Sequence, residues 1–157
     1  ADAAQHIWGY GIGLDMTRRD LQNDMKKQGR PWCIGKAFEQ SAPIGPIHPI
    51  ARTGRLSKGA ITLHVNGELR QSNTTGKMIW TCAQLVEFFS TFVTLQPGVV
   101  ISTGTPGGTA WGTDAELGGK KPMRKDVVTA AGYLQPGDEV VCEIEGVGRL
   151  LNRVVAA

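Results

Sequence analysis

The stretch GIGLDMTRRDLQNDMKKQGRPWCIGK, residues 11–36, decides how the rest of the chain reads. It opens inside an apolar run, Tyr10 to Leu14, that predicts a buried strand ending at a carboxylate, Asp15. A helix is predicted to follow at once. Thr17 can cap it, and Asp20 three positions on makes a variant capping box in which both side chains satisfy orphan amides. Leu21 and Met25 fall four apart on one face, and Gly29 followed by Pro31 stops the helix. Arg19 and Gln22, three apart, share another face near its start. Asp15, Arg19 and Gln22 can therefore converge on one small volume. A strand-end acid beside a fork of donors suits a metal ion holding an anionic ligand. Strand–loop–helix units with a capping acid and a surface arginine are also common where they do nothing chemical, and spacing alone favours that plainer reading.

Outward from this stretch, the composition narrows the class. A length of 157 residues favours one domain with a real core. The sequence has no initiator Met and no secretory pattern at its start, and can be a fragment. Its apolar runs are interrupted every few residues, so none is predicted to span a bilayer. Lysine and arginine exceed the acids by 17 − 14 = 3. The local basic run Lys120 to Lys125 lacks interleaved aromatics and sits among Gly and Pro, which predicts a solvated loop rather than a nucleic-acid contact. Cys33, Cys82 and Cys142 are widely spaced with no C-x-x-C pair. That pattern predicts free thiols in a reducing, cytoplasmic compartment and no zinc site. No histidine is placed to activate Cys33, which predicts a buried thiol rather than a nucleophile. Twenty-one glycines imply many tight turns and a strand-rich fold.

Further along, Trp32 to Phe38 predicts a strand carrying Lys36, and Gln40 to Pro49 a loop with prolines at 43, 46 and 49. His48 reads as a loop or strand-end histidine without a partner at ligand spacing. Ile61, Leu63 and Val65 alternate with Thr62 and His64, and Asn66-Gly67 supplies the two left-handed positions of a type I′ turn into Leu69-Arg70-Gln71. Thr81 with Gln84 predicts a capping box for a second helix, whose stripe Leu85, Phe88, Phe89 and Phe92 is expected to be core. Pro97-Gly98 leads to Val99-Val100-Ile101, expected to be a buried strand that runs into a Gly-rich turn, Ser102 to Gly108. This turn is no Walker loop, and Gly9-Tyr10-Gly11-Ile12-Gly13 is no dinucleotide fingerprint. Residues 110–134 read as a long excursion. Pro136-Gly137-Asp138 then opens a closing hairpin, Glu139 to Ile144 and Leu150 to Val155.

Taken together, GLDMTRRDLQ at 13–22, GRPWCIGKAF at 29–38, VNGELRQ at 65–71, VVISTGTPGG at 99–108 and LQPGDEVVCEIEGVGRL at 134–150 resemble the fumarylacetoacetate hydrolase family, in order and spacing across nearly the whole chain. The wording of the first two is similar to the acylpyruvase and fumarylpyruvate-hydrolase branch. The resemblance implies an α+β fold, a strand-rich mixed β-sandwich roll with two short helices, as a single catalytic domain over residues 1–157 that lacks its N-terminal part. It implies a Mg²⁺, Mn²⁺ or Ca²⁺ site in a homodimer, with Asp15 as a metal ligand, Lys36 as the catalytic lysine, and Arg19, Gln22, Thr105 and Gly104 as substrate contacts. The family's Glu-x-Glu metal strand and its His/Glu base correspond to a region upstream of Ala1. Glu139 and the pair Glu143 and Glu145 lie in the closing hairpin and are not expected to be ligands. Val99 also departs from the acid that relatives commonly carry after Pro-Gly.

The activity so implied is metal-dependent hydrolysis of a carbon–carbon bond in an acylpyruvate such as fumarylpyruvate, a small keto-acid substrate. Oxaloacetate decarboxylation or keto–enol isomerisation would use the same site. A catalytically silent, oligomerising module is the alternative from another class, because one carboxylate binds Mg²⁺ poorly. Nucleic acid and membranes are not expected partners. Asp15 and Lys36 are expected to face each other across the bound ion.

Overall fold

The computed structural model describes residues 2–109 and 133–156. Most of the 110–134 excursion, including Lys120 to Lys125, lies outside the described residues. The fold is α+β, strand-rich and antiparallel in its described sheets. Two helices span nine residues each: α1, Arg19–Lys27, and a later one at Cys82–Ser90. Among the described residues no helix is long and apolar enough to cross a membrane.

The chain opens with β1, Gly9–Tyr10, antiparallel to β2, His48–Pro49. Beyond this short ladder the backbone contact continues through Gly45 N to Ile12 O, Leu14 N to Pro43 O and Met16 N to Ser41 O. Residues 41–49, predicted as a loop, are therefore the partner of the first strand. The prolines have no N–H to donate, so Pro43 takes part in this pairing through its carbonyl alone. After α1 comes α2, a single turn at Cys33–Lys36, where the sequence predicts a strand. A further turn, α3, covers Ile50–Thr53.

The main sheet has four strands: β3 Ala60–Val65, β4 Glu68–Thr74, β5 Glu139–Ile144 and β6 Gly148–Arg153, in the order β4-β3-β5-β6. Both hairpins predicted from sequence are present. Asn66 at φ 50° and Gly67 at φ 81° make the first turn, as the Asn-Gly pair requires. The core lies on one face of this sheet, where Val65, Val140, Cys142 and Val147 bury against Ile12 from the opening strand. That contact carries the segment leading to Asp15 onto the sheet.

The second helix, labelled α4 here, starts with the predicted capping box, Thr81 and Gln84 exchanging bonds of 2.9 and 3.2 Å. Its aromatic stripe is not core. Phe88 is 52% exposed and Phe92 58%, and the rings stack chiefly on one another, with Phe88 and Phe92 centroids 5.2 Å apart and Trp80 6.0 Å from Phe88. Val99 to Ile101 is likewise no buried strand. Val100 is 57% exposed, and no described strand pairs with this run. Apolar periodicity marks a face that prefers burial, and the described residues do not supply the cover.

Asn66 and Asp138 tie the two hairpins together. Asn66 Nδ2 donates to Asp138 Oδ1 at 2.8 Å, and Glu139 N donates to Asn66 Oδ1 at 2.9 Å. The amide of Gln135, followed by the Asn66 side chain, holds the Asp138 carboxyl below its usual range. A depressed carboxyl contributes stability above its unfolded pKa, near 4, and loses it as pH falls through the folded value. Asp138→Ala should therefore lower the urea midpoint at pH 7, with the gap from the unsubstituted chain closing below about pH 4. A gap that is the same at pH 7 and pH 3 would contradict this role.

Candidate functional site

The site is built where α1 and α2 meet. Gly35 is buried against α1: a Cβ placed on it would lie 3.0 Å from Gln22 N and 3.1 Å from Arg18 O. Its carbonyl accepts from Arg18 N at 3.0 Å. This contact explains why 33–36 winds into a helical turn. An extended run through Trp32, Cys33 and Ile34 is what local propensity favours, but the close approach to α1 is easiest for a glycine, which brings no Cβ to the contact. The Arg18 guanidinium, 4.4 Å from the centre of the Phe38 ring, closes the same junction from the other side.

Lys36, last residue of α2, is thereby brought to the loop before α1. Its Nζ lies 2.5 Å from Asp15 Oδ2 and 2.9 Å from Thr17 Oγ1. Asp15 and Lys36 thus meet in one place, touching through Oδ2, and among the described residues no hydrogen bond is made to Asp15 Oδ1. Thr17 does not cap α1. The N-cap is Arg18, without a side-chain bond, and the Thr17 hydroxyl instead donates to Asp15 O at 3.1 Å. The helix stop at Gly29 stands, with φ 65° and Arg30 N returning to Met25 O at 2.9 Å.

Arg19 and Gln22 pair with each other, Nη1 to Oε1 at 2.8 Å, and Gln22 is buried. The pairing spends Gln22's acceptor oxygen on a charge-assisted bond and fixes the guanidinium plane. Thr105 and Gly104 belong to a second cluster on the sheet. Gln71 of β4, buried, donates from Nε2 to Thr105 Oγ1 at 3.4 Å. Gly104 turns with φ 96°, and Gly108 with φ 98° presses on β4, where a Cβ would meet Arg70 O at 2.2 Å. Among the described residues no hydrogen bond or ion pair joins Thr105 or Arg19–Gln22 to Asp15–Lys36. Thr17 and Gln71 are the participants that the sequence reading did not place. Thr17 reads as a cap because it precedes the helix, and Gln71, opposite Leu63 in the hairpin, reads as an ordinary strand residue.

The donor set fits part of a divalent-cation site. Asp15 offers a hard oxygen with the Lys36 ammonium and the Thr17 hydroxyl beside it, chemistry suited to an ion carrying an anionic ligand. It does not complete one: the described residues contain no group of three His, Cys, Asp or Glu able to hold an ion. The carboxylates of the closing hairpin are occupied elsewhere, Glu145 accepting from Ala60 N at 2.9 Å, Glu143 near Arg149 at 3.4 Å and Glu139 near Arg153 at 3.7 Å. Cys33 is exposed, not buried as the sequence predicts, because α2 presents it away from α1. Cys142 is in the core, and burial pushes its thiol up to about 11.

The chain belongs to the fumarylacetoacetate hydrolase family: the family model described as fumarylacetoacetate (FAA) hydrolase C-terminal matches residues 1–155. Among solved structures it is similar to fumarylpyruvate hydrolase from Pseudomonas aeruginosa in complex with Mn²⁺ and pyruvate, at 42% identity and TM-score 0.82, covering 99% of this chain and 57% of that one. It is 35% identical over 148 residues to a fumarylpyruvate hydrolase of a Ralstonia species, covering 94% of this chain and 65% of that protein. It is 37% identical over 158 residues to a mitochondrial oxaloacetate tautomerase of Bos taurus, covering 98% of this chain and 44% of that one. The chain thus spans less than two thirds of each of these relatives.

Two measurements check the site as built. Gly35→Ala requires the α1 backbone to give way by a few tenths of an ångström and should cost about 1–3 kcal/mol, read as a lower urea midpoint; an unchanged midpoint would mean that the junction relaxes to admit a methyl group. Calorimetric titration of this chain with Mn²⁺ should show no micromolar binding, since one carboxylate oxygen is a poor site. Micromolar affinity would reveal ligands that the described residues lack.

Proposed function

We propose that this chain carries the enolate-stabilising part of a hydrolase that cleaves a carbon–carbon bond in an acylpyruvate-type 1,3-diketo acid, such as fumarylpyruvate. The observation that carries the reading is the Lys36 ammonium, fixed by Asp15 and Thr17 at the edge of α1. In the working site a divalent cation, Mg²⁺, Mn²⁺ or Ca²⁺, would use Asp15 Oδ1 and further oxygens from outside the described residues, and would supply Lewis-acid polarisation of the keto acid. Water adds to the distal carbonyl, the adjacent carbon–carbon bond breaks, and its electron pair passes to the departing pyruvate enolate. Lys36 is the cation placed to neutralise that developing charge. Arg19, with its plane set by Gln22, orients the substrate or the attacking water. Thr105 and the amides of the Gly104 turn hold the carboxylate end.

A second reading is favoured by the likeness to the bovine oxaloacetate tautomerase: keto–enol isomerisation, or decarboxylation, of a related diacid. The same enolate charge develops beside Lys36 in each case. A homodimer belongs to the proposal, and the exposed rings of α4 give such an assembly apolar surface to bury.

A panel of acylpyruvates and oxaloacetate, assayed with Mg²⁺ or Mn²⁺, separates these readings by which substrate is consumed. Lys36→Met should lower turnover on that substrate about 10²–10³-fold. Near-normal turnover would remove Lys36 from the mechanism. Consumption of none of the panel would favour the silent module instead.

A further inference from the structure

We infer that Thr17 is a positioning residue for Lys36: its hydroxyl fixes a second direction of the ammonium, so that the remaining N–H is presented to an anionic ligand. The inference deepens the proposed role of Lys36 and rests on that reading for the identity of the ligand alone.

A hydroxyl has a single hydrogen, and the hydrogen of Thr17 is committed to Asp15 O at 3.1 Å. Towards Lys36 it can therefore present only a lone pair, at 2.9 Å from Nζ. The ammonium has three donors. One goes to Asp15 Oδ2 at 2.5 Å and one to Thr17, and no third acceptor among the described residues reaches Nζ. An ion pair by itself would not achieve this orientation. The two side chains are 31% and 50% exposed, and a lysine head on a flexible four-carbon stem swivels about a single carboxylate contact. Thr17 is half-buried, and its branched Cβ restricts the rotamers open to the hydroxyl, so it can serve as a fixed second post. Fixing a charge before the substrate arrives is what makes it effective as charge develops. The proline-free segment Asp15-Met16-Thr17 places both acceptors two positions apart, ahead of the helix rather than on it.

The test reads the Lys36 ammonium directly by nitrogen-detected NMR on the full 157-residue chain. Thr17→Val should speed ammonium hydrogen exchange about tenfold, the weight of one charge-assisted hydrogen bond, and Thr17→Ser should restore it to within about twofold. Backbone amide spectra report whether each variant is folded, and Thr17→Ala stands in should the valine variant fail. Exchange in the folded valine or alanine variant at the unsubstituted rate overturns the inference. So does a serine variant that behaves like valine, since the methyl group and not the hydroxyl would then be responsible. Addition of pyruvate should shift the Lys36 signal in the unsubstituted and serine chains and shift it less in the valine chain. A pyruvate response in none of them contradicts the keto-acid reading, while the exchange rates still decide what Thr17 does.

Discussion

The site depends on how closely two turns of helix approach at Gly35. With Gln22 N and Arg18 O within 3.0 and 3.1 Å of where a side chain would begin, no other residue fits without displacing backbone. The carbonyl of Gly35 also closes on Arg18 N, so the junction is held by main chain. Its consequence is a contact between Asp15 and Lys36 across 21 positions of sequence. Magnitudes set the direction of cause. An exposed ion pair contributes about 0–1 kcal/mol, whereas overpacking the junction costs about 1–3 kcal/mol. The fold holds the pair in place far more than the pair holds the fold. That is the arrangement expected of a functional charge, which must be positioned by structure that does not depend on it.

The second half of the candidate site is held by the sheet in the same manner. Gly108 lies flat against the backbone of β4, and buried Gln71 reaches from that strand to Thr105. Ile12, packed with Val65, Val140 and Val147, fastens the segment that ends in Asp15 to the same sheet. The two clusters thus share a scaffold, with no hydrogen bond or ion pair between them among the described residues.

What the sequence makes legible is local. Asn66-Gly67, Thr81 with Gln84, and Gly29 after a helical run each specify a turn, a cap or a stop through their own backbone requirements, and each appears where it is expected. What it hides is tertiary. Trp32, Cys33 and Ile34 carry the propensity of a strand, and only contact with α1 makes them a turn of helix. The Phe88–Phe92 stripe announces a face that prefers burial but not what buries it, and these rings stand largely exposed. Asp15 and Lys36 share no periodicity, so the family resemblance, not spacing, links them. Thr17 looks like a helix cap because it precedes one. Its hydroxyl turns back to Asp15 and Lys36 because Lys36 offers a charged donor, a stronger partner than a helix amide.

The central claim is that Lys36 is anchored to the Asp15–Thr17 segment in the chain itself. The most direct measurement is the nuclear Overhauser contact between the Lys36 ε-methylene and the Thr17 methyl in solution. The account predicts a strong contact in the unsubstituted chain, weakened in Gly35→Ala. A Lys36 side chain with the shifts of a free lysine and no contact to residues 15–17 would contradict it.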